Sequence, residues 1–234
     1  MTLLAQSLDV VPVDDLASRL GFSERLDYPL ASRRKPLTDW KMEIDDSPIF
    51  RYLYRNFRPR RHLEFGTWQG SGVLYCLEEC SATVWTLNLP KGEMSADGTR
   101  AYEEDDGASI GRFYQEKGLG HRVCQIYCDS RDWEISNYPP VFFDSVLIDG
   151  GHHPSVVRSD TAKALELLRP GGLCMWHDFC PDPLVLHQSP TSLGVVQALL
   201  QDWDTVRSRM RDLFWIHPSY ILLGILREEN DTMP

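Results

Sequence analysis

Two segments of this chain concentrate side chains that can move protons or hold a cation. Asp149-Gly150-Gly151-His152-His153 sets a carboxylate close to two imidazoles, and His177-Asp178 repeats the pairing further along. An imidazole suits proton removal near neutral pH, while carboxylates ligate or orient cations. A third segment, Glu64-Phe65-Gly66-Thr67-Trp68-Gln69-Gly70-Ser71-Gly72, has the spacing Gly-x-x-x-Gly-x-Gly with an acid two residues before the first glycine. Such glycines let the backbone turn sharply and approach a ligand, and a helix behind them offers free amides. The spacing is not the Gly-x-Gly-x-x-Gly of dinucleotide binders, which disfavours a nicotinamide-dependent oxidoreductase.

The elements that must position these segments follow from the pattern after residue 60. Strands are predicted at Arg61–Phe65, Thr83–Leu89, Arg122–Tyr127, Phe142–Ile148 and Leu173–Trp176, with helices at Val73–Glu79, Ile110–Lys117 and Pro154–Leu168. The near-continuous apolar run 142–148 fits a parallel strand buried on both faces. Serial strand–helix alternation predicts a parallel sheet with helices on both sides, and ligands bind such sheets beyond the carboxyl ends of the strands. Each chemical segment directly follows a predicted strand. Leu213–His217 and Tyr220–Leu226, joined only by Pro218-Ser219, must pair antiparallel. Residues 1–57 read as a helical preface to a domain spanning 58–230, with helices at 14–21 and from Ser47-Pro48 onward. This preface and the Pro181–Ser192 segment are expected to cover the site as a lid.

Composition narrows the function class. The chain has 234 residues, 42% hydrophobic and 25% charged, as expected of one globular domain. A net charge of −10 disfavours a nucleic-acid partner, and the short basic run 58–61 reads as a solvated edge. No stretch approaches the roughly 18 apolar residues of a membrane span, and no export signal is evident, so a cytoplasmic protein is expected. The six cysteines are expected to be reduced, small buried hydrophobes rather than zinc ligands. Trp68, Trp133, Trp176 and Phe179 are expected to complete the core, His153 to start a helix, and Asp160 to be a helix-surface charge.

Glu-x-Gly-x-x-x-Gly at 64–70, Asp129-Ser130, Ile148-Asp149-Gly150-Gly151-His152 and Leu168-Arg169-Pro170-Gly171-Gly172, in that order, resemble class I S-adenosylmethionine-dependent methyltransferases. The last two segments most resemble the small-molecule O-methyltransferase branch that includes catechol, macrolide-sugar and aminocoumarin enzymes. The resemblance covers roughly residues 60–226 and implies a Rossmann-like, doubly wound, mostly parallel seven-stranded sheet with a C-terminal antiparallel hairpin. It places Glu64, Gly66, Thr67 and Gly70 at the amino acid portion of the cofactor, Asn88 at the ribose, Asp129 and Ser130 at the adenine, and Asp149 beside them. An acidic residue is usual where Asn88 stands.

Methyl transfer is an in-line displacement that needs the acceptor oriented and its proton removed. His152 matches the general base of the sugar-modifying members. Asp149 and Asp178 match ligands of a divalent metal; His177 replaces an oxygen ligand, which shifts the site toward transition ions or abolishes it. The catalytic candidates are therefore His152, Asp149 and Asp178, and the metal candidates Asp149, His177 and Asp178. The implied function is methyl transfer to an oxygen of a small molecule such as a sugar or secondary metabolite. A non-catalytic S-adenosylmethionine-binding module is the alternative. Expected partners are a small-molecule acceptor, with neither nucleic acid nor membrane; a homo-oligomer is compatible with the sequence.

Overall fold

The computed structural model describes residues 8–27, 45–94, 98 and 109–228. Its strands are β1 (Asp9–Pro12), β2 (Arg61–Phe65), β3 (Thr83–Asn88), β4 (Val123–Tyr127), β5 (Phe143–Ile148), β6 (Leu168–Trp176), β7 (Met210–His217) and β8 (Ile221–Leu226). They form one sheet in the order β1-β7-β8-β6-β5-β2-β3-β4. The α-helices are α1 (Leu16–Leu20), α2 (Ser47–Phe57), α3 (Ser71–Glu79), α4 (Arg112–Glu116), α5 (Pro154–Leu167), α6 (Pro183–Gln188), α7 (Pro190–Gln201) and α8 (Trp203–Arg209).

Strands β2 to β6 pair in parallel, and β8 lies antiparallel to both β6 and β7. The expected terminal hairpin is present, with Ile216 opposite Ile221. The sheet has eight strands rather than seven, because β1 adds in parallel to β7 from within the expected helical preface. Val11 and Val13 bury their side chains there, while only four residues form the strand, too few for alternation to stand out. The described remainder of residues 1–57 packs into the body of the fold; residues 1–7 and 28–44 of the expected lid lie outside the described residues.

Alternating side chains feed two cores, one on each face. Leu63, Phe65, Val146, Ile148, Cys174 and Trp176 point toward α5, α7 and α8. Leu147, Leu173, Met175 and Val84 point toward α2 and α3, where Ile49, Leu53 and Val73 meet them. The Pro181–Ser192 region, expected as part of the lid, is helical: Asp182 and Ser189 accept capping hydrogen bonds at the starts of α6 and α7, and each helix opens on proline. Leu186 and Val195 carry these helices into the core.

The α2-facing side of β2 carries polar residues into this core. The His62 ring, fully buried, has Nε2 3.1 Å from the Tyr54 hydroxyl and Nδ1 2.8 Å from Ser145 Oγ. Burial pushes its pKa down to about 3. The unfolded chain, titrating near 6.5, therefore takes up the proton first, so the stability tied to His62 falls as pH drops below that value. We expect wild-type protein to lose up to about 1.4 kcal/mol per pH unit more than His62→Gln between about pH 6 and 4, measured by urea unfolding. Equal slopes in the two proteins would contradict a neutral buried ring.

Candidate functional site

Strand register gathers the site. Phe65, Ile148 and Trp176 are aligned neighbours at the ends of β2, β5 and β6, so Gly66, Asp149 and His177 emerge side by side. The backbone confirms the alignment, with Asp149 N–H donating to Phe65 O at 2.9 Å and His177 N–H to Ile148 O at 3.0 Å. The chain runs outward from β2 through β3 and β4, then returns to β5 on the other side, which makes β2/β5 the switch point of the sheet. A cleft of about 600 Å³ opens there, lined by the glycine loop and by the residues that follow β3, β4, β5 and β6.

The glycines of the loop are required first by the protein's own packing. At Gly66, with φ 98°, a Cβ would stand 2.0 Å from the Asp149 carbonyl oxygen. A side chain here would force apart the two strand ends. Gly72 leaves room for the Glu64 carboxylate, 2.8 Å from where its Cβ would lie. Gly70 turns against Tyr114 and Gly111 and does not line the cleft. Thr67 lines it, but its hydroxyl bonds Thr86 Oγ1 at 2.7 Å and accepts from Gln125 Nε2 at 2.9 Å, which fixes the loop to β3 and β4.

Glu64 is buried beneath this loop, and its Oε2 has no hydrogen-bond partner. Burial, reinforced by the Asp149 charge, holds its pKa well above the ordinary carboxyl range. A buried acceptor at the floor of a cleft suits a cationic or donor-rich ligand group. Asn88 is engaged within the loop, accepting from Trp68 N–H at 2.9 Å and donating to Leu89 O at 2.8 Å. Asp129 binds the Arg131 guanidinium, with Nη2 2.6 Å from Oδ2, and that bond holds its pKa down against burial.

At the other side of the cleft stands a compact acid–imidazole cluster. His152 Nε2 lies 2.6 Å from Asp178 Oδ2, and His177 Nδ1 lies 2.9 Å from Asp149 Oδ1. The other His177 nitrogen faces Asp46 Oδ2 at 3.5 Å, and Asp178 Oδ2 is 3.8 Å from Nδ1. Burial opposes charging of His177, but Asp149, Asp178 and Asp46 overcome it and raise its pKa well above the ordinary value. With a carboxylate at each nitrogen, the ring is an imidazolium that satisfies both. Burial likewise opposes charging of His152, and the Asp178 hydrogen bond prevails, so its pKa is also raised.

The ligand atoms of Asp149, His152 and Asp178 lie within 4.8 Å of one another. The expected ligand His177 stands beside this set, with both of its ring nitrogens facing carboxylates. Asp178 adopts a left-handed backbone, φ 56°, a conformation that Asp tolerates better than most residues with a side chain. His152 is positioned from behind by α7, where Gly194 presses so close that a Cβ would stand 2.1 Å from the His152 carbonyl oxygen. His153 caps α5, accepting from Ser155 N–H at 3.3 Å, as its expected place at a helix start implies.

Three features escaped the sequence. Asp46 comes from the preface, where nothing marks it as a partner of a histidine so far along the chain; its Oδ2 also accepts from Tyr220 N–H at 2.9 Å. Asp160 is not a surface charge: it is fully buried, lines the cleft, and shares the inward face of α5 with Val156, Val157, Ala164 and Leu165. Helical periodicity carries that signal. Trp68 is 61% exposed at the cleft, whereas Trp133, Trp176 and Phe179 complete the core as expected. Of the cysteines, all free, Cys76, Cys174 and Cys180 are buried, but Cys124 is exposed on the edge strand.

Comparison with known proteins bears on this geometry. A family described as a methyltransferase domain matches residues 63–179, half of the chain. No curated protein sequence matches it. Among solved structures, the SAH-bound methyltransferase PaMTH1 of Podospora anserina is similar at 16% identity and TM-score 0.57, covering 85% of each chain. The O-methyltransferase of Bacillus cereus in complex with SAH shares 18% identity at TM-score 0.56, over 92% of this chain and 97% of that one. The O-methyltransferase TomG of Streptomyces achromogenes, in complex with SAM, shares 16% at TM-score 0.51, over 92% and 88%. These likenesses show the Rossmann-like methyltransferase fold, and with the match over 63–179, which contains the glycine loop, Asp149, His152, His177 and Asp178, the chain belongs to the methyltransferase-domain family.

Proposed function

We propose that this protein transfers a methyl group from S-adenosylmethionine to an oxygen of a small molecule, with His152 removing the acceptor proton. The observation that carries this reading is the His152–Asp178 pair, 2.6 Å apart, facing the same cleft as the glycine loop. Two of the similar structures are named as O-methyltransferases, and the net charge of −10 supports a small acceptor over a nucleic acid. The cleft fits the cofactor: Glu64 Oε2 is a buried acceptor available to an ammonium group, and Asn88, Asp129 and Ser130 line its remaining length. When bound, S-adenosylmethionine supplies an electrophilic methyl on a sulfonium, which leaves as a neutral thioether.

The chain's own part is orientation and proton removal. Asp178 accepts the Nε2–H of His152, which fixes the tautomer and leaves Nδ1 as the basic nitrogen. As the acceptor oxygen gains the methyl, its proton passes to that nitrogen, and Asp178 stabilises the imidazolium formed. Asp149, held by the His177 imidazolium, borders both the cofactor and the acceptor sides.

The grouping of Asp149, His152 and Asp178 supports a second reading in which these residues hold a divalent ion that acidifies the acceptor hydroxyl. The mixed nitrogen and oxygen set suits transition ions over magnesium. A metal there would take the His152 lone pair, so base and ligand are exclusive roles for this ring.

Under the base reading, turnover survives exhaustive chelation, while His152→Ala loses roughly 10²–10⁴-fold in kcat with cofactor affinity nearly unchanged. Loss of activity on EDTA treatment, restored by manganese or zinc better than by magnesium, would replace the base reading with the metal one. The charge state of His152 is tested separately by NMR titration of the chelated protein. The imidazole should titrate above 6.5 in wild type, since Asp178 outweighs burial, and at a lower pH in Asp178→Asn, where only Asp149 is left to oppose burial and the His177 charge. Activity should therefore rise with pH across the wild-type midpoint, because only the neutral ring accepts a proton. An unchanged titration in Asp178→Asn would show that the pair does not set the base.

A further inference from the structure

The cleft holds a second buried carboxyl, which the proposed chemistry does not use. Asp160 sits one turn beyond Val156 on the inward face of α5, and both line the cleft with Cys128, Asp129 and Ser130, which follow β4. Neither carboxyl oxygen has a hydrogen-bond partner, although the side chain is fully buried. Lys163, a turn away, does not neutralise it by contact: its ammonium donates to the carbonyls of Ser130 and Arg131. On the β5 side Asp160 faces Gly150, where a Cβ would stand 3.6 Å from Oδ2. The titratable and charged groups around it are thus Cys128, Asp129 and Arg131 from the loop after β4, and Lys163 from its own helix.

Burial favours the protonated form of a carboxyl that no cation contacts, and that form offers one O–H donor beside one carbonyl acceptor. This pair has the hydrogen-bonding pattern of a side-chain amide, which reads adenine by accepting from its exocyclic amino group and donating to a ring nitrogen. We infer that Asp160 is the base-reading residue of the cleft, holding the adenine of the cofactor through a paired donor and acceptor contact made by its neutral carboxyl. The inference rests on the S-adenosylmethionine reading above and adds a residue to it. Val156, one turn earlier, supplies an apolar contact beside the same base. Burial pushes the Asp160 carboxyl up to about 7, against the pull of Ser130 and of the Lys163 charge, so the neutral form prevails below that pH.

The contact predicts both a pH response and a dependence on the amino group. Calorimetry would compare S-adenosylhomocysteine with its counterpart carrying unsubstituted purine in place of adenine, on wild-type, Asp160→Asn and Asp160→Leu proteins. Wild type should prefer the adenine compound by roughly tenfold, the scale of one lost contact of a base-reading pair. That affinity should weaken as pH rises through the carboxyl's titration, because ionisation removes the donor. Asp160→Asn should keep the preference without the pH response, and Asp160→Leu should bind both compounds about equally. Retention of the adenine preference by Asp160→Leu would overturn the role of Asp160 while leaving the cofactor reading intact. Failure of wild type to bind either compound would overturn both. Should Asp160→Leu not fold, a pH response of equal size in wild type and Asp160→Asn would overturn the inference on its own.

Discussion

The site depends on how closely β2 approaches β5 at the switch point of the sheet. Gly66 leaves β2 directly against the Asp149 carbonyl, with no space for even a methyl group. Because Phe65, Ile148 and Trp176 share one register, that contact also decides which side chains emerge together. A slip of one residue in any of these strands would turn Glu64, Asp149 or His177 onto the opposite face. Packing enforces the register from both sides, with Leu63 and Phe65 in one core and the His62 network, bound to Tyr54 and Ser145, in the other. The chemistry is thus placed by backbone geometry before any ligand contact is considered.

Electrostatics then divides labour between two histidines that look equivalent in sequence. His177 is enclosed by Asp46, Asp149 and Asp178 and is held as a cation, a structural counter-ion that lets three acids share a small volume. His152 has one carboxylate at one nitrogen, which on the proposed reading leaves the other for proton transfer. The same arrangement balances the acids of the site with imidazoles. Asp46 joins this cluster from α2's N-terminal edge and ties it to Tyr220 beside the terminal hairpin. The cluster is therefore sensitive to parts of the chain remote from the glycine loop.

Much of this was legible in the sequence, and the exceptions share physical causes. The apolar run before Asp149 marked β5, and glycine punctuation marked the loop after β2, because both signals are local. The four-residue β1 was too short for periodicity to reveal, and its pairing with β7 is long-range. Helices α6 and α7 were obscured by prolines that in fact occupy first-turn positions behind Asp182 and Ser189 caps. Asp160 could have been assigned from the inward stripe of α5, since Val156, Val157, Thr161 and Ala164 are buried around it. Asp46 and Gly194 could not, because their significance lies in contacts with His177 and His152 across the fold.

The central claim is that the register at the β2/β5 switch point builds one continuous cofactor cleft from segments far apart in sequence. Hydrogen exchange of the full chain with and without S-adenosylhomocysteine tests it most directly, since bound ligand slows opening of the backbone it touches. The account predicts protection concentrated in 64–72, 87–89, 128–130 and 149–152, with little change in the β7–β8 hairpin. Protection confined to other segments, or spread evenly over the sheet with those four unchanged, would contradict it.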